Sequence, residues 1–286
     1  MAISRSQLVK ELEPGLNALF GLEYKRYENQ HAEIYTTESS DRAFEEEVML
    51  SGFANAQVKG EGAGVSFDEA QETFTARYTH ETIALAFAIT EEAIEDNLYD
   101  RISSRYTKAL ARSMSNAKQV KAVQPLINGL PSTATFKSGD AKALFTTNHP
   151  TVAGTFSNTL TTQADLNETS LEQSLIDIAK MTDERGLRVA ARGVKMIVPS
   201  ENQFNAERLM KSQGRTGTAD NDINAIASMG MIPQGYRVNN YLTDTDSFYI
   251  MTDVPNGMKM FNRAPLTTAM EGDFDTGNVR YKARER

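Results

Sequence analysis

Apolar residues alternate with other residues along residues 75–89, a segment rich in β-branched and aromatic side chains. This pattern predicts a half-buried β-strand. Thr90 follows with a hydroxyl that can cap a helix, and the two glutamates after it place negative charge near the positive end of the helix dipole. No proline or glycine then occurs before Pro125, so one helix of roughly 45–50 Å is predicted over about residues 91–124. The alternating apolar positions are Ile83, Leu85, Phe87 and Ile89.

The apolar residues of this predicted helix recur at every fourth position. Because four residues turn about 400°, the apolar ridge drifts by roughly 40° per step and winds around the helix. Such a helix needs packing partners on several sides, which indicates the spine of a domain. An ordinary long helix of an α+β enzyme fits the periodicity equally well. The predicted core positions of this spine helix are Ile94, Leu98, Ile102, Tyr106, Leu110 and Met114.

The chain before the strand carries weaker patterns. A short helical signal at residues 7–13 is broken by Pro14, and the rest of residues 1–40 mixes polar and aromatic residues without a period. Residues 41–76 contain strand-like pieces around a glycine-rich stretch, which predicts a long hairpin. Neither segment has the residues for a core of its own, so we expect neighbouring molecules to order both. The predicted hairpin tip contains Lys59, Gly60, Gly62 and Gly64, and the candidate anchors of the first segment are Leu16, Phe20, Tyr24, Tyr27 and Tyr35.

The second half of the chain predicts two more helices and several short strands. One helix covers residues 166–184, with Asn167 or Thr169 as its cap and Gly186 as its stop. The other begins near Ser200 and continues to about Ser212. The predicted strands cover residues 194–198, 236–242, 248–252, 257–263 and 279–283.

Composition narrows the class of protein. With 286 residues, 40% of them hydrophobic and 24% charged, the chain is typical of a globular protein. It has no cysteine, which excludes disulfides and thiolate metal sites. It has no apolar run near 18 residues and no signal peptide, so neither a membrane nor secretion is expected. A net charge of −8 argues against a dedicated nucleic-acid-binding protein.

Motifs for catalysis are almost lacking. The glycines at the hairpin tip do not complete GxGxxG, because residue 65 is Val. His80 is followed by Glu81, but the second histidine of HExxH is missing because residue 84 is Ala. Residues 115–118 match SxxK inside the predicted spine helix, where a solvated face is the simpler interpretation. We therefore expect no catalytic residue, metal or cofactor, and no enzymatic activity.

Three segments together resemble the major capsid proteins of tailed bacteriophages, and more narrowly the Mu-type head subunits. They are residues 4–24, residues 41–62, and the strand-to-helix passage with ITEEAIEDN at its turn and Pro-Leu-Ile-Asn-Gly at its end. The resemblance covers roughly the first 130 residues, and the remainder agrees in the order of its elements. It implies the α+β Hong Kong-type capsid fold. The implied regions are an N-terminal arm (1–40), an extended loop called the E-loop (41–76), a peripheral domain with the spine helix (77–160), an axial domain (161–254) and closing strands (255–286).

The resemblance also implies a structural function. The chain would self-assemble as pentamers and hexamers into an icosahedral shell that encloses double-stranded phage DNA, and it would contact that DNA non-specifically. Arm and E-loop would overlap neighbouring subunits. A separate scaffolding protein, a portal and cement proteins are the other implied partners, with assembly in the bacterial cytoplasm. An encapsulin-like cellular shell protein and a cytoplasmic α/β enzyme remain the alternatives.

Two charged clusters each allow two interpretations. The acidic residues 45–47 form a solvated face or pair with basic groups of a neighbouring subunit. The basic face of the spine helix is solvated or ion-paired, which we prefer, or it lines the inner wall next to packaged DNA. Its residues are Arg101, Arg105, Lys108, Arg112, Lys118 and Lys121.

Overall fold

The computed structural model describes residues 9–95, 99–130, 136–215, 222–273 and 276–286. These residues form two compact units. The first unit consists of Met1–Phe44, Thr79–Ala122 and Lys259–Arg286, and the second of Glu45–Tyr78 and Val123–Met258.

Helices and strands alternate irregularly along the chain. The α-helices are α1 (Val9–Arg26), α2 (Glu91–Glu95), α3 (Tyr99–Ile127), α4 (Glu168–Ala179), α5 (Gln203–Lys211) and α6 (Ala225–Met229). The strands are β1 (Thr36–Ser39), β2 (Phe44–Leu50), β3 (Glu72–Thr79), β4 (Ile83–Ile89), β5 (His149–Thr151), β6 (Gly154–Phe156), β7 (Gly193–Val198), β8 (Tyr236–Val238), β9 (Tyr249–Thr252), β10 (Lys259–Asn262), β11 (Thr267–Gly272) and β12 (Val279–Glu285).

The first unit packs helices on one face of a three-stranded sheet. The sheet has the order β11-β12-β4, and both pairs are antiparallel. Residues of α1 and α3 meet the inward-facing residues of the central strand β12, while β1 pairs in parallel with β10. The core consists of Leu16, Phe20, Leu110, Ala111, Met114, Tyr281 and Ala283.

Helix α1 corrects the expectation for the first segment. It continues to Arg26 with Pro14 inside it, instead of breaking there. A proline inside a helix costs about 3 kcal/mol, whereas burying Leu16 and Phe20 against the core stabilises by about 1.5–3 kcal/mol each. Burial of these two side chains is therefore sufficient to offset the proline. The chain itself orders α1, and Leu16 and Phe20 lie in its core instead of on an exposed arm.

The spine helix is confirmed over α3, with differences at its end and along its face. Pro125 lies inside the helix, and the amide of Asn128 still donates to the carbonyl of Gln124 at 2.9 Å, so the predicted end at residue 124 was wrong. Leu110 and Met114 are buried, as predicted.

Of the other predicted spine positions, only the side chain of Tyr106 is described. Tyr106 is 54% exposed, although its ring lies 5.8 Å from that of Phe87. The winding of the apolar ridge turns Tyr106 away from the core, because the sheet covers one side of the helix. Leu98 lies outside the described residues, and so do the side chains of Ile94 and Ile102.

The strand predicted over residues 75–89 is two strands. β3 ends at Thr79 and β4 begins at Ile83, and each pairs with a different partner. The predicted alternation belongs to β4, whose Ile83, Phe87 and Ile89 are at least partly buried. Leu85, the fourth predicted position, is 47% exposed.

The second unit contains a mixed three-stranded sheet with the order β8-β7-β9. β7 is parallel to β8 and antiparallel to β9. The strands predicted over residues 236–242 and 248–252 follow each other in the sequence, but β7 separates β8 from β9 in the sheet. The core between this sheet and its helices consists of Leu166, Leu171, Leu175, Met196, Val198, Ala206, Leu209, Ile226 and Ile232.

Helix α4 begins as predicted and ends earlier. The Asn167 side chain accepts from the Ser170 amide at 2.8 Å, and the Ser170 hydroxyl accepts from the Asn167 amide at 3.0 Å, which completes a capping box. The helix ends at Ala179. Gly186, which was predicted to stop it, instead has a φ of +81° in a turn further along the chain. Strands β1, β5, β6 and β11 and helix α6 were not predicted.

Candidate assembly surfaces

Strands β2 and β3 form the predicted hairpin. The Ser51 amide donates to the Gln71 carbonyl at 2.8 Å, and the Thr73 hydroxyl donates to the Met49 carbonyl at 3.1 Å. Residue 51 is bonded to residue 71 and residue 49 to residue 73, so the residue number rises along one strand as it falls along the other. The two strands are therefore antiparallel. The connection between them, residues 51–71, lies within the predicted E-loop.

Residues 52–70 of this loop are all exposed. A turn at the tip has the Ala63 amide donating to the Gly60 carbonyl at 3.2 Å. Gly62 has a φ of +75°, a conformation that favours glycine, while Gly60 and Gly64 do not adopt positive φ. Lys59 is exposed beside this turn. The sequence indicated three equivalent glycines, but the turn requires only Gly62.

The loop also exposes large apolar side chains. Val58 and Phe67 are almost fully exposed, and Phe53 and Val65 are exposed by more than half. Single exposed apolar residues are common on proteins, but four in one loop without a core indicate a contact surface. Sequence reasoning located this loop by its glycines and did not single out its apolar residues.

Asp68 and Arg185 hold the base of the loop. The Asp68 carboxylate accepts from the Ala54 amide at 2.6 Å, across the two sides of the loop. Arg185 donates to the Glu69 carbonyl and lies 3.6 Å from the Asp68 carboxylate. The Ala54 amide is the main cause that lowers the pKa of Asp68, with smaller contributions from the Glu69 amide and the Arg185 charge, while desolvation opposes them. The turn that contains Arg185 is more than 100 residues away in sequence, so no local pattern predicted this contact.

The acidic cluster at residues 45–47 has partners within the hairpin. Glu46 accepts from the Arg77 guanidinium at 2.7 Å. Glu47 accepts from the Tyr78 hydroxyl at 3.1 Å. Glu46 and Glu47 are therefore paired inside their own chain, and Glu46 remains exposed. Pairing of the cluster with a neighbouring subunit stays a prediction.

A polar cluster lies inside the first unit. The Lys118 ammonium lies 3.1 Å from the Glu285 carboxylate, which also accepts from the Tyr24 hydroxyl at 3.2 Å. Ser115 is buried, and Lys118 is largely so. The SxxK residues thus lie in the unit's interior, which corrects the expectation of a solvated face.

His31 and Gln119 extend this cluster. The His31 amide donates to the Gln119 side chain at 3.0 Å, and that side chain donates to the Glu28 carbonyl at 3.2 Å. The His31 Nδ1 atom is buried and has no hydrogen-bond partner among the described residues. Burial is the main cause that lowers the pKa of His31, and the nearby charge of Lys118 adds to it, while Gln119 and Glu285 act in the opposite direction.

The three tyrosines of the first segment also contact their own chain. Tyr27 donates to Glu23 at 3.1 Å, and Tyr35 donates to the Ala122 carbonyl at 2.6 Å. Burial raises the pKa of Tyr35, and burial followed by the charge of Glu285 raises that of Tyr24. With these hydroxyls bonded internally, an anchoring role toward a neighbouring subunit stays a prediction.

The basic face of the spine helix divides into two groups. Lys118 pairs with Glu285, and Lys121 pairs with Glu81. The side chain of Arg101 lies outside the described residues. Among the described residues, none forms an ion pair with Arg105, Lys108 or Arg112, and all three are exposed.

The described part of the chain holds no group of three or more histidine, aspartate or glutamate side chains arranged for a metal ion. None of its helices combines the length and the apolar character needed to cross a bilayer.

The fold is that of solved phage capsid subunits. The chain is similar to the bacteriophage JBD30 capsid, with a TM-score of 0.55, 12% identity, and coverage of 74% of this chain and 90% of that chain. It is similar to the JBD30 capsid decorated with minor capsid protein trimers, with a TM-score of 0.54, 12% identity, and coverage of 85% and 100%. A virus-like particle from Pyrococcus furiosus gives a TM-score of 0.54 at 8% identity, with coverage of 95% and 91%. These likenesses confirm the Hong Kong-type capsid fold.

Sequence similarity identifies the family. Residues 72–286 match the family described as phage capsid protein, which is well over half of the chain. The chain therefore belongs to the phage capsid protein family and is a structural protein of the bacteriophage capsid. A comparison with curated proteins gives no significant match. The narrower Mu-type resemblance stays a prediction.

Proposed function

We propose that this chain is the subunit that closes the phage shell around double-stranded DNA, with its E-loop lying on a neighbouring subunit. The observation that carries this proposal is the exposed apolar set Phe53, Val58, Val65 and Phe67 in a loop that buries almost none of its own surface.

The energetics favour a neighbour as the partner of the loop. Burying a valine or phenylalanine side chain stabilises by about 1.5–3 kcal/mol. Each loop supplies two such residues that are almost fully exposed, Val58 and Phe67. Repeated in every subunit, these contacts supply the large summed interface that a closed assembly of identical chains needs.

Electron microscopy of the purified full-length chain and of the double variant Val58→Ser/Phe67→Ser tests the proposal. We expect closed shells from the natural sequence and unassembled protein from the variant. When both proteins are unassembled, the free energy of unfolding of the variant should lie within about 0.5 kcal/mol of that of the natural sequence, because substitutions of exposed residues barely change stability.

A polar pair in the same loop provides the matched control. Asn55→Ser/Gln57→Ser alters two exposed side chains without removing apolar surface, so it should still form shells. Closed shells from Val58→Ser/Phe67→Ser would show that the loop is not the main contact. A natural sequence that forms no particles under any assembly condition would contradict the shell function itself.

The proposed partners follow from the same assembly. The subunits would form pentamers and hexamers of an icosahedral shell in the bacterial cytoplasm, with a separate scaffolding protein and a portal. The decorated JBD30 capsid supports a minor capsid or cement protein as a further partner. The encapsulin-like alternative shares the fold, but the family match favours the phage capsid.

A further inference from the structure

Arg105, Lys108 and Arg112 form a row of cations along the exposed face of α3. At 100° per residue their side chains fall within a sector of about 60°, and the row extends over about 10 Å of helix. We call these three residues the α3 basic row. Ala109 and Asn116, which are exposed on the same face, are small or neutral.

The row is unusual in a chain of this charge. The protein has 38 acidic and 30 basic residues, yet it contains no aspartate or glutamate between Asp100 and Asp140. The basic residues further along α3, Lys118 and Lys121, are neutralised by glutamates from other elements. The α3 basic row is left without such a partner among the described residues, so it remains a local positive surface on an acidic protein.

The surroundings of the row are unlike the core of a protein interface. Such cores are enriched in aromatic and apolar side chains and depleted of charged ones. A polyanion needs only a row of cations with small neighbours that permit close approach. Duplex DNA carries one phosphate charge per about 1.7 Å, so a 10 Å length presents about six charges.

We infer that the α3 basic row is a sequence-independent contact for the phosphate backbone of the packaged duplex DNA. This inference rests on the proposed function, since it requires that the α3 basic row lies on the inner surface of the shell. It assigns a DNA contact to three residues of an otherwise acidic subunit and excludes Lys118 and Lys121 from it.

A second cationic row in the same unit provides a control. Lys282 and Arg284 alternate with buried residues on the central strand β12, and both are exposed without an ion pair among the described residues. Because the opposite face of that strand packs against the helices, this row points away from the α3 basic row. The variants Lys108→Gln/Arg112→Gln and Lys282→Gln/Arg284→Gln each remove one lysine and one arginine, and glutamine preserves helix propensity at the α3 positions.

The test measures binding of a short random-sequence DNA duplex to the unassembled full-length protein over a range of salt concentrations. We expect Lys108→Gln/Arg112→Gln to weaken binding and to reduce the slope of log affinity against log salt by about two. Lys282→Gln/Arg284→Gln should leave that slope unchanged. Equal losses in both variants, loss only in the β12 variant, or no DNA binding by the natural sequence would each overturn the inference.

Electron microscopy of the same variants separates this inference from the shell function. Lys108→Gln/Arg112→Gln should still form closed shells, because the row is not proposed to contact another subunit. If that variant fails to assemble but binds DNA like the natural sequence, the row is a subunit contact and the inference is overturned. If the natural sequence forms shells but the row has no effect on DNA binding, only the inference fails and the proposed function stands.

Discussion

His31 is buried in the interior of the first unit, and its Nδ1 atom has no hydrogen-bond partner in the part of the chain that the structure describes. Its pKa is lowered in the folded protein, chiefly by burial, from an ordinary value of about 6.5. Below that pH the unfolded chain binds a proton that the folded chain does not, so the free energy of unfolding falls as pH falls. The loss begins near pH 6.5 and ends below the folded-state pKa, with a slope of at most about 1.4 kcal/mol per pH unit.

Urea unfolding of the unassembled protein between pH 7 and pH 5 measures this loss. The variant His31→Gln, which does not titrate, should show a smaller decrease than the natural sequence. Parallel curves for the two proteins would contradict the assignment, because the pH dependence would then come from other groups.

At the scale of elements, α1 is a core helix whose burial holds the first segment in place. Phe20→Ala should reduce the free energy of unfolding by about 3–5 kcal/mol, because it leaves a cavity between α1, α3 and β12. Leu22 provides the control on the same helix, since it is 73% exposed and Leu22→Ala should change stability by less than about 0.5 kcal/mol. Urea unfolding of both unassembled variants measures the difference, and similar effects would contradict a core role for α1.

This core role changes the interpretation of an arm truncation. The sequence predicts that deleting residues 1–25 leaves soluble subunits that cannot close shells. Because that deletion removes Leu16 and Phe20, it would also expose the core of the first unit. Loss of shells from the truncation is therefore expected, but a point substitution on the exposed loop tests assembly without unfolding the subunit.

The hairpin tip is an element whose shape depends on one glycine. Gly62→Ala should cost about 1–2 kcal/mol in the turn, because an alanine disfavours the positive φ found there. Gly60→Ala and Gly64→Ala serve as controls, since an added methyl group meets no atom within 4 Å at either site and neither φ is positive. We expect aberrant or fewer shells from Gly62→Ala alone by electron microscopy. Normal shells from all three variants would show that the turn geometry does not matter for assembly.

The sequence predicted the elements that have strong local signals. The Asn167 cap, the buried strand β7 and the long helix α3 each combine a period with a start or stop residue, and each was found. The predicted ends of helices were wrong where tertiary packing outweighed a local signal, as at Pro14 and Pro125. Strand β11 was missed because four of its six residues are exposed and because it pairs with β12, which follows it in the chain.

At the scale of the whole molecule, the contacts that sequence reasoning missed join distant parts of the chain. Lys118 pairs with Glu285 across 167 positions, and Arg185 donates to the Glu69 carbonyl, at the base of the β2–β3 loop, across 116. The sequence around Lys118 and around Arg185 has no local pattern that predicts the partner. The family resemblance predicted the fold and the capsid function because it rests on three segments of the first 130 residues or so and on the order of the remaining elements. Site residues depend instead on such long-range pairs.

In a closed shell, one chain must fit positions that are not identical. Between residues 52 and 70 the loop has few internal bonds among the described residues, chiefly the tip turn at Gly60–Ala63 and the Asp68 contact at its base. Bending it therefore breaks little, whereas bending α1 or α3 would disrupt a packed core. With each unit superposed separately, symmetry-independent copies in an electron cryomicroscopy map should agree along α1 and α3 and diverge most at residues 52–70. Identical loops in all copies, or α1 diverging as much as the loop, would contradict this division between rigid core and adjustable contact.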